Sequence, residues 1–288
     1  MAPKSPDPRL IDGTGVAESV LDTTAARAQA FTRAAGTKPC LAAVLVGDDP
    51  ASVTYVRMKR NRPERVGIES RLVTLPSLAS TDDVVAAVTE LSEDPAVHGI
   101  LLQHPVPPQV DERAAFEAIA PAKDVDGVTM HSFAAMSFGL PGFVSATPGG
   151  ILRLLDAHRM CLQGAHAVVI GRSPILGKPV GMLLLARNAT VTFCHSRTTE
   201  LPDIVRTADI VIAAVGIPHF VRGAWLKSGV VVIDAGYNPG NVGDVHFDEA
   251  LERAALITPV PGGVGPTTIA VLLEQTVTAA ETSLAKSA

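Results

Sequence analysis

A two-domain α/β architecture with parallel sheets is the fold class this sequence predicts, and three observations carry it. Short apolar runs rich in Val, Ile, Leu and Ala recur along the chain, each too short for a helix and most followed by a segment of helical character. Several of these runs are apolar at nearly every position rather than at alternate ones, as strands are when both faces of a sheet are covered. The length of 288 residues suits roughly two domains, and the composition is aliphatic, 47% hydrophobic with only 4% aromatic residues.

Taken in order, residues 1–8 read as a Pro-rich disordered tail. Ala17 to Ala35 is expected to be a helix, and Cys40 to Gly47 a buried strand running into a turn at Asp48-Asp49-Pro50. A helix should follow from Ser52 to about Val66 with Pro63 inside it. The Pro63 ring meets the carbonyl of Lys59 at a cost of ~3 kcal/mol in a straight helix, so the helix should end or kink just past Lys59. Arg71 to Leu75 reads as a strand, Thr81 to Leu91 as a helix and His98 to Gln103 as another buried strand. This β-α-β-α-β rhythm argues for a parallel sheet with crossover helices.

A second series begins near Thr147, where Pro148 is placed to open a helix running to His158. Strands at Ala167–Ile170, Thr190–Phe193, Ile210–Val215 and Val230–Asp234 alternate with helices at Pro179–Arg187 and Leu201–Thr207. Such alternation describes a doubly wound nucleotide-binding domain. A last helix-like run, Thr268 to Ala279, follows a Gly/Pro loop and returns to the first domain. The expected division is therefore 1–146 with 267–288, and 147–266.

Composition excludes several function classes. A net charge of -5 gives no electrostatic reason to expect nucleic acid or an anionic membrane. Cys40, Cys161 and Cys194 are widely spaced with no CxxC pair, so neither a disulfide framework nor a metal site is expected. No apolar run approaches the ~18 residues of a membrane span, and the N-terminus lacks a signal-peptide core, which makes the cytoplasm the expectation.

Three motifs carry chemistry. In Pro259-Val260-Pro261-Gly262-Gly263-Val264-Gly265-Pro266 prolines fix φ while glycines permit angles that side chains forbid, so Pro261, Gly262 and Gly263 should bring bare backbone close to a ligand. Val168-Val169-Ile170 leads into Gly171-Arg172-Ser173-Pro174-Ile175-Leu176-Gly177 and then a helix, the strand, glycine turn and helix N-terminus that cradle a pyrophosphate. The pattern is GxSxxxG rather than GxGxxG and is weak alone. The next strand sharpens it: an NAD site wants an acidic residue roughly 20 residues past the first glycine. Here Phe193-Cys194-His195-Ser196-Arg197-Thr198 offers no carboxylate before Glu200. Arg172 as a cation with Ser196 as a hydroxyl suits a 2′-phosphate, which favours NADP, while Arg197 reads as a solvated cation. Ala213 to Pro218, with Gly216, ends a strand in small residues against which a nicotinamide or ribose can lie.

The catalytic constellation is in the first domain. Ser52, Tyr55 and Lys59 fall at i, i+3 and i+7 on one helix face. Gln103 ends a strand before His104-Pro105-Val106-Pro107, and Asp124 and Asp126 sit in the turn Lys123-Asp124-Val125-Asp126-Gly127. A lysine, an amide and a carboxylate near strand carboxyl ends can perform proton transfer.

Together these residues resemble a family. Tyr55-Val-x-x-Lys59, Gln103-x-Pro105-x-Pro107, Lys123-Asp-Val-Asp-Gly127, Thr147-Pro148-x-Gly150, Gly171-Arg-Ser-x-Ile-x-Gly177-x-Pro179, Cys194-His-Ser-x-Thr198, Val232-Ile-Asp-x-Gly236-x-Asn238, Gly243-Asp-Val245 and Thr258 to Pro266 occur in order. The set is similar to the bifunctional methylenetetrahydrofolate dehydrogenase/methenyltetrahydrofolate cyclohydrolase (FolD-type) family over roughly residues 10 to 280. The resemblance implies a three-layer α/β catalytic domain, a Rossmann-like parallel-sheet cofactor domain, a cleft between them and a homodimer. It implies hydride transfer from 5,10-methylenetetrahydrofolate to NADP, then hydrolysis of the methenyl product to 10-formyltetrahydrofolate. By position, Lys59 is the general acid/base, Gln103 tunes it, Asp126 holds the pterin and Tyr55 stacks on the folate. Ser52, Pro261, Gly262 and Gly263 complete the folate site. Gly171, Arg172, Ser173, Ile175, Gly177, His195, Ser196, Gly216 and Asn238 form the cofactor site, and no metal is implied.

The chain departs from the family's usual pattern at His104 (usually Leu), Ser145-Ala146 (Pro-Cys), Ser132 (Asn), Tyr237 (aliphatic), Thr267 (Met) and Gln275 (Asn). These positions gather on the folate side. They leave two alternatives beside the bifunctional enzyme: a diverged paralogue that binds without efficient turnover, and a dehydrogenase with weakened cyclohydrolase.

Overall fold

The structure, a computed structural model, describes residues 7–47 and 63–287. The chain forms two compact units, Glu18–Ala146 with Ile269–Ala288, and Met1–Ala17 with Thr147–Thr268.

The first unit is built on a three-stranded parallel sheet of β1 (Cys40–Val46), β2 (Glu69–Leu75) and β3 (Gly99–Leu102), in the order β2-β1-β3. Every residue of β1 and β3 is buried, as a strand covered on both faces requires. Edge strand β2 instead alternates between exposed and half-buried positions. Helix α1 (Gly13–Ala35) starts four residues before the expected Ala17 and contributes Leu21, Ala28 and Phe31 to the unit's interior. Helix α2 (Thr81–Glu93) opens with a capping box, Ser80 Oγ accepting the Asp83 N–H while Asp83 accepts the Ser80 N–H, and packs Val84, Val88 and Leu91 inward.

Two short helices of this unit were not expected. Helix α3 (Glu112–Glu117) is started by the Asp111 carboxylate, which accepts the Arg113 and Ala114 N–H groups. Helix α4 (Met130–Phe138) is started by the Thr129 hydroxyl and stopped by Gly139 in the left-handed conformation. Of the helix expected from Ser52 to Val66, only residues 63–66 are described, helical through Arg65, and the expected kink beyond Lys59 falls outside them. Its end is as expected: Ile68 N–H bonds Pro63 C=O and Gly67 N–H bonds Glu64 C=O, a Schellman closure with Gly67 at φ 79°.

The second unit carries a five-stranded parallel sheet of β4 (His166–Ile170), β5 (Thr190–Cys194), β6 (Ile210–Ala213), β7 (Val230–Asp234) and β8 (Ala254–Ile257), in the order β5-β4-β6-β7-β8. The chain leaves β4 first to one side and then to the other, so the switch point of a doubly wound sheet lies at the β4 carboxyl end. Alternate residues feed two cores. Val169, Ile212 and Ile233 join Leu154 and Leu155 of α5 (Ala146–Ala157) and Leu184 of α6 (Gly177–Ala186) on one face. On the other, Val168, Val211 and Val232 join Val205 of α7 (Leu201–Arg206) and Ala250 of α8 (Phe247–Leu251).

One strand is added here and two expectations are corrected. The apolar segment before the Gly/Pro loop is a strand, β8, paired with β7 through a register shift. The final helix α9 (Val264–Ser287) starts inside the Gly/Pro motif rather than at Thr268, because Pro266 occupies a first-turn position that needs no N–H bond. The disordered tail does not extend through Asp7 and Pro8. Asp7 accepts the Arg9 N–H and pairs with the Arg9 guanidinium at 2.6 Å, and Leu10 then bridges to Ile257 in parallel along the free edge of β8.

Candidate functional site

At the carboxyl end of β4, Gly171 sits at φ 132°, and a Cβ there would overlap the Ala214 carbonyl that follows β6. Its N–H donates to Cys194 O at the end of β5 (2.9 Å), and Ala214 N–H donates to Ile170 O (2.8 Å). The ends of β4, β5 and β6 are thus stitched through backbone atoms alone, which is why the first glycine of the motif admits no side chain. A Cβ on Gly177 would come 2.5 Å from Gly171 O, so the second glycine lets α6 start directly against the turn. Gly181, one turn further on, lies against the Phe193 ring with no room for a side chain. The weak GxSxxxG signal therefore has the geometric content of a phosphate-binding turn.

Within the turn, Ser173 Oγ accepts the Leu176 N–H (3.1 Å) and the Gly177 N–H (3.4 Å), and Ile175 is half-buried. Arg172 is exposed and makes no hydrogen bond or ion pair with any described residue. Across the β4–β5 register, where Ile170 pairs with Cys194, stands His195. Its N–H donates to Thr198 Oγ1 (2.8 Å) and its Nδ1 accepts the Arg197 N–H (3.1 Å). Ser196 and Arg197 are exposed beside it.

The next two strand ends carry a carboxylate network that the sequence reading overlooked. Asp244, fully buried, accepts the N–H groups of Val215 (2.6 Å) and Gly216 (2.8 Å) on one oxygen and the Asn238 amide (3.0 Å) on the other. Asp234, at the end of β7, accepts N–H groups from Gly236, Asp244 and Val245. Burial, with the nearby Asp244 charge adding to it, outweighs those donors and pushes the Asp234 carboxyl up to about 6. Glycines at 236 and 243 leave room for these two carboxylates. Asn238 lies inside this network, 6% exposed, with its side-chain nitrogen spent on Asp244 and Val242 O. The Asp-x-Gly…Gly-Asp-Val spacing was the available signal for the network.

In the loop before α9, Pro261 is exposed, Gly262 takes φ 102°, and Gly263 is buried with no room for a Cβ between Pro259 O and Thr258. Gly13, opening α1, lies against the Gly263 carbonyl so closely that a Cβ would overlap it. Thr258 Oγ1 accepts the Asp234 N–H at 2.7 Å and ties the start of the loop to the end of β7.

In the first unit, Ser52, Tyr55 and Lys59 lie outside the described residues. Gln103 just follows β3, its N–H donating to Val44 O (2.9 Å). The residue is 8% exposed; Nε2 donates to His104 O (2.9 Å), while Oε1 is buried without a hydrogen-bond partner among the described residues. The His104 ring packs edge-on against Phe116 at 6.1 Å. The paired carboxylates of the Lys123–Gly127 turn divide their work. Asp124 is fully buried and accepts from the N–H groups of Val128 and Thr129 and the hydroxyls of Thr129 and Ser132, fastening the start of α4. Asp126 is half-buried, two residues on. Lys123 donates to Asp94 O (2.6 Å) and Leu91 O (3.2 Å) at the end of α2, and burial lowers its pKa.

Among the described residues no group of three His, Cys, Asp or Glu side chains could hold a metal ion, and no helix is long and apolar enough to cross a membrane.

Residues 11–126 match the tetrahydrofolate dehydrogenase/cyclohydrolase catalytic domain, and residues 145–284 match the NAD(P)-binding domain of the same family. A curated relative from Streptomyces avermitilis, bifunctional protein FolD 1, is 68% identical over 96% of this chain and 96% of its own length. The crystal structure of the bifunctional FolD enzyme from Campylobacter jejuni superposes with a TM-score of 0.92 at 40% identity, covering 95% of this chain and 98% of that one. That of the Trypanosoma brucei dehydrogenase-cyclohydrolase, complexed with NADP and an inhibitor, gives 0.92 at 37% identity over 97% and 99%. With both domains matched and a relative this similar along nearly its whole length, the chain belongs to the tetrahydrofolate dehydrogenase/cyclohydrolase family.

Proposed function

We infer that the protein oxidises 5,10-methylenetetrahydrofolate with NADP and hydrolyses the resulting 5,10-methenyltetrahydrofolate to 10-formyltetrahydrofolate. The observation that carries this reading is Gln103, whose amide nitrogen is already committed to His104 O while its buried oxygen has no partner among the described residues. An unmet buried acceptor costs about 1–3 kcal/mol, so the site is built for a donor, and the Lys59 ammonium is the donor that the family likeness supplies. In the first reaction a hydride leaves the methylene carbon between N5 and N10 for the nicotinamide. In the second, water adds to the methenyl carbon and loses one proton; the hydroxyl so formed loses its remaining proton as the bond from that carbon to N5 breaks and N5 takes one, leaving the formyl group on N10 and one proton released overall. Lys59 moves those protons, Gln103 Oε1 orients and tunes it, Asp126 holds the pterin, and Ser52 and Tyr55 complete the folate site with Pro261, Gly262 and Gly263.

Residues 18–146 with 269–288 serve as the folate-binding domain, and 147–268, with residues 7–17 packed on its β8 edge, as the NADP-binding domain. The pyrophosphate is held at the turn of Gly171, Ser173, Ile175 and Gly177 before α6, the 2′-phosphate by Arg172 and Ser196 with His195 beside it, and the nicotinamide end against Gly216. Asn238 serves there by fixing Asp244 and through it the Gly216 loop. A cytoplasmic homodimer belongs to the same reading: all three cysteines are free, as suits a reducing compartment, and Leu72 on edge strand β2 is 39% exposed. The departures at Ser132 and Ser145 are met by hydrogen bonds to Asp124 and Gly127, so neither of these two favours a weakened second activity. Following NADPH and methenyl-folate absorbance separately tests the reading: both reactions are expected, and accumulation of the methenyl product without its hydrolysis would reduce the protein to a dehydrogenase.

A further inference from the structure

The backbone around Asp126 is held at three consecutive carbonyls. Gln275 Nε2, on α9, donates to Val125 O at 2.8 Å; Ala146 N–H donates to Asp126 O at 3.1 Å; Ser145 Oγ donates to Gly127 O at 2.7 Å. The same Gln275 nitrogen donates to Val144 O (2.9 Å) while its Oε1 accepts the Val144 N–H (3.1 Å). One amide therefore clamps the Asp126 turn to the segment Val144–Ala146 entering α5, which supplies the other two bonds. From the opposite side, the fully buried Val125 lies against Gly99, where a Cβ would come 2.8 Å from its Cγ2. Gly127, at φ 65°, presses on Val144 and Ser145 with no room for a side chain.

A turn braced on both faces presents its half-buried carboxylate in a fixed direction, and among the described residues the Gln275 amide braces its backbone from the distant helix α9. We propose that Gln275 is a positioning residue for the folate: it touches no reacting atom but sets the Asp126 carboxylate against the pterin. This rests on the reading of Asp126 as the pterin-holding group. It also gives a role to one of the positions where the chain departs from its family, since a glutamine is long enough to meet both Val125 and Val144 from α9.

The test is a double-mutant cycle read by dehydrogenase kinetics and thermal unfolding, using Gln275→Met, which keeps volume but loses all three bonds, Asp126→Asn, and the two combined. Gln275→Met should raise the KM for methylenetetrahydrofolate by about fivefold or more, leave the KM for NADP within about twofold, and add nothing to the folate KM once Asp126 is Asn. Gln275→Asn, with the same amide on a shorter arm, should fall between wild type and Gln275→Met, and it carries the same comparison if Gln275→Met does not fold. A lower melting temperature with unchanged folate KM, or an equal rise in both backgrounds, overturns the positioning role and leaves Asp126 in place. A normal folate KM in Asp126→Asn alone overturns the reading of Asp126, and this inference with it.

Discussion

A single oxygen of Asp244 receives the backbone N–H groups of both Val215 and Gly216, at 2.6 and 2.8 Å, so the loop leaving β6 takes its shape from a carboxylate about thirty residues later in the chain. Replacing Asp244 by Asn should set an amide donor against one of those N–H groups or leave both with a weaker acceptor. The expected outcome is a KM for NADP raised about tenfold or more and a loss of about 2–3 kcal/mol in urea unfolding. A variant with normal NADP kinetics would show that the Gly216 loop does not meet the cofactor.

Arg172 is expected to read the 2′-phosphate. It is exposed and unpaired among the described residues, next to a β5 end that lacks a carboxylate. Arg172→Ala should therefore raise the KM for NADP by about tenfold, or ~1.4 kcal/mol, while changing that for NAD far less. Equal effects on the two cofactors would remove Arg172 from that role.

Asp234 predicts a pH dependence of stability. Its carboxyl titrates at about 6 in the folded protein against 3.8 as its ordinary value. Between those values the folded state holds the proton more tightly than the unfolded state, so this group's contribution to stability falls as pH rises through the window, by at most about 3 kcal/mol. Asp234→Asn removes the titration, and its deficit relative to wild type should narrow from pH 4 to pH 6. Urea midpoints at pH 4, 5, 6 and 7 decide this, and a deficit that widens with pH refutes it.

Lys59 and His104 separate the two chemistries. Hydride transfer depends mainly on positioning, whereas hydration also needs a proton carrier. Lys59→Met should abolish cyclohydrolase activity and leave measurable dehydrogenase activity. The His104 ring is occupied against Phe116, so His104→Leu should change neither rate by more than about tenfold. Cyclohydrolase surviving in the Lys59 variant would transfer the role to His104.

The strands were legible because their burial on both faces demands unbroken apolar runs; β1, β6 and β7 stand within Cys40–Gly47, Ile210–Val215 and Val230–Asp234, the runs that announced them. The β8 segment, Ala254–Ile257, was too short and too rich in alanine to declare its pairing. Helix α4 was hidden because it has no clear apolar face: Met130 is 63% exposed and Phe138 80%, and its cap at Thr129 and stop at Gly139 are the only local signals. The Lys123–Gly127 motif pointed to chemistry but not to which aspartate turns inward, since that choice is made by Thr129 and Ser132. Gln275 was noticed only as a departure, because its partners Val125 and Val144 lie more than a hundred residues away in sequence.

The pairing of Leu10 with Ile257 has a consequence for how the nucleotide-binding half can be made. Ile11 donates to Ile257 O at 2.9 Å and Ile257 to Arg9 O at 2.9 Å; Leu10 and Ile11 pack into opposite cores of the sheet. During synthesis these residues leave the ribosome long before the strand at Ala254–Ile257 that they pair with. A fragment spanning only 145–268 would expose the unpaired β8 edge and two apolar gaps, the conditions for edge-to-edge aggregation. Such a fragment should be poorly soluble on its own and recover when a peptide of residues 7–17 is supplied in trans, because the bridge at Leu10 covers the edge that the five strands leave open.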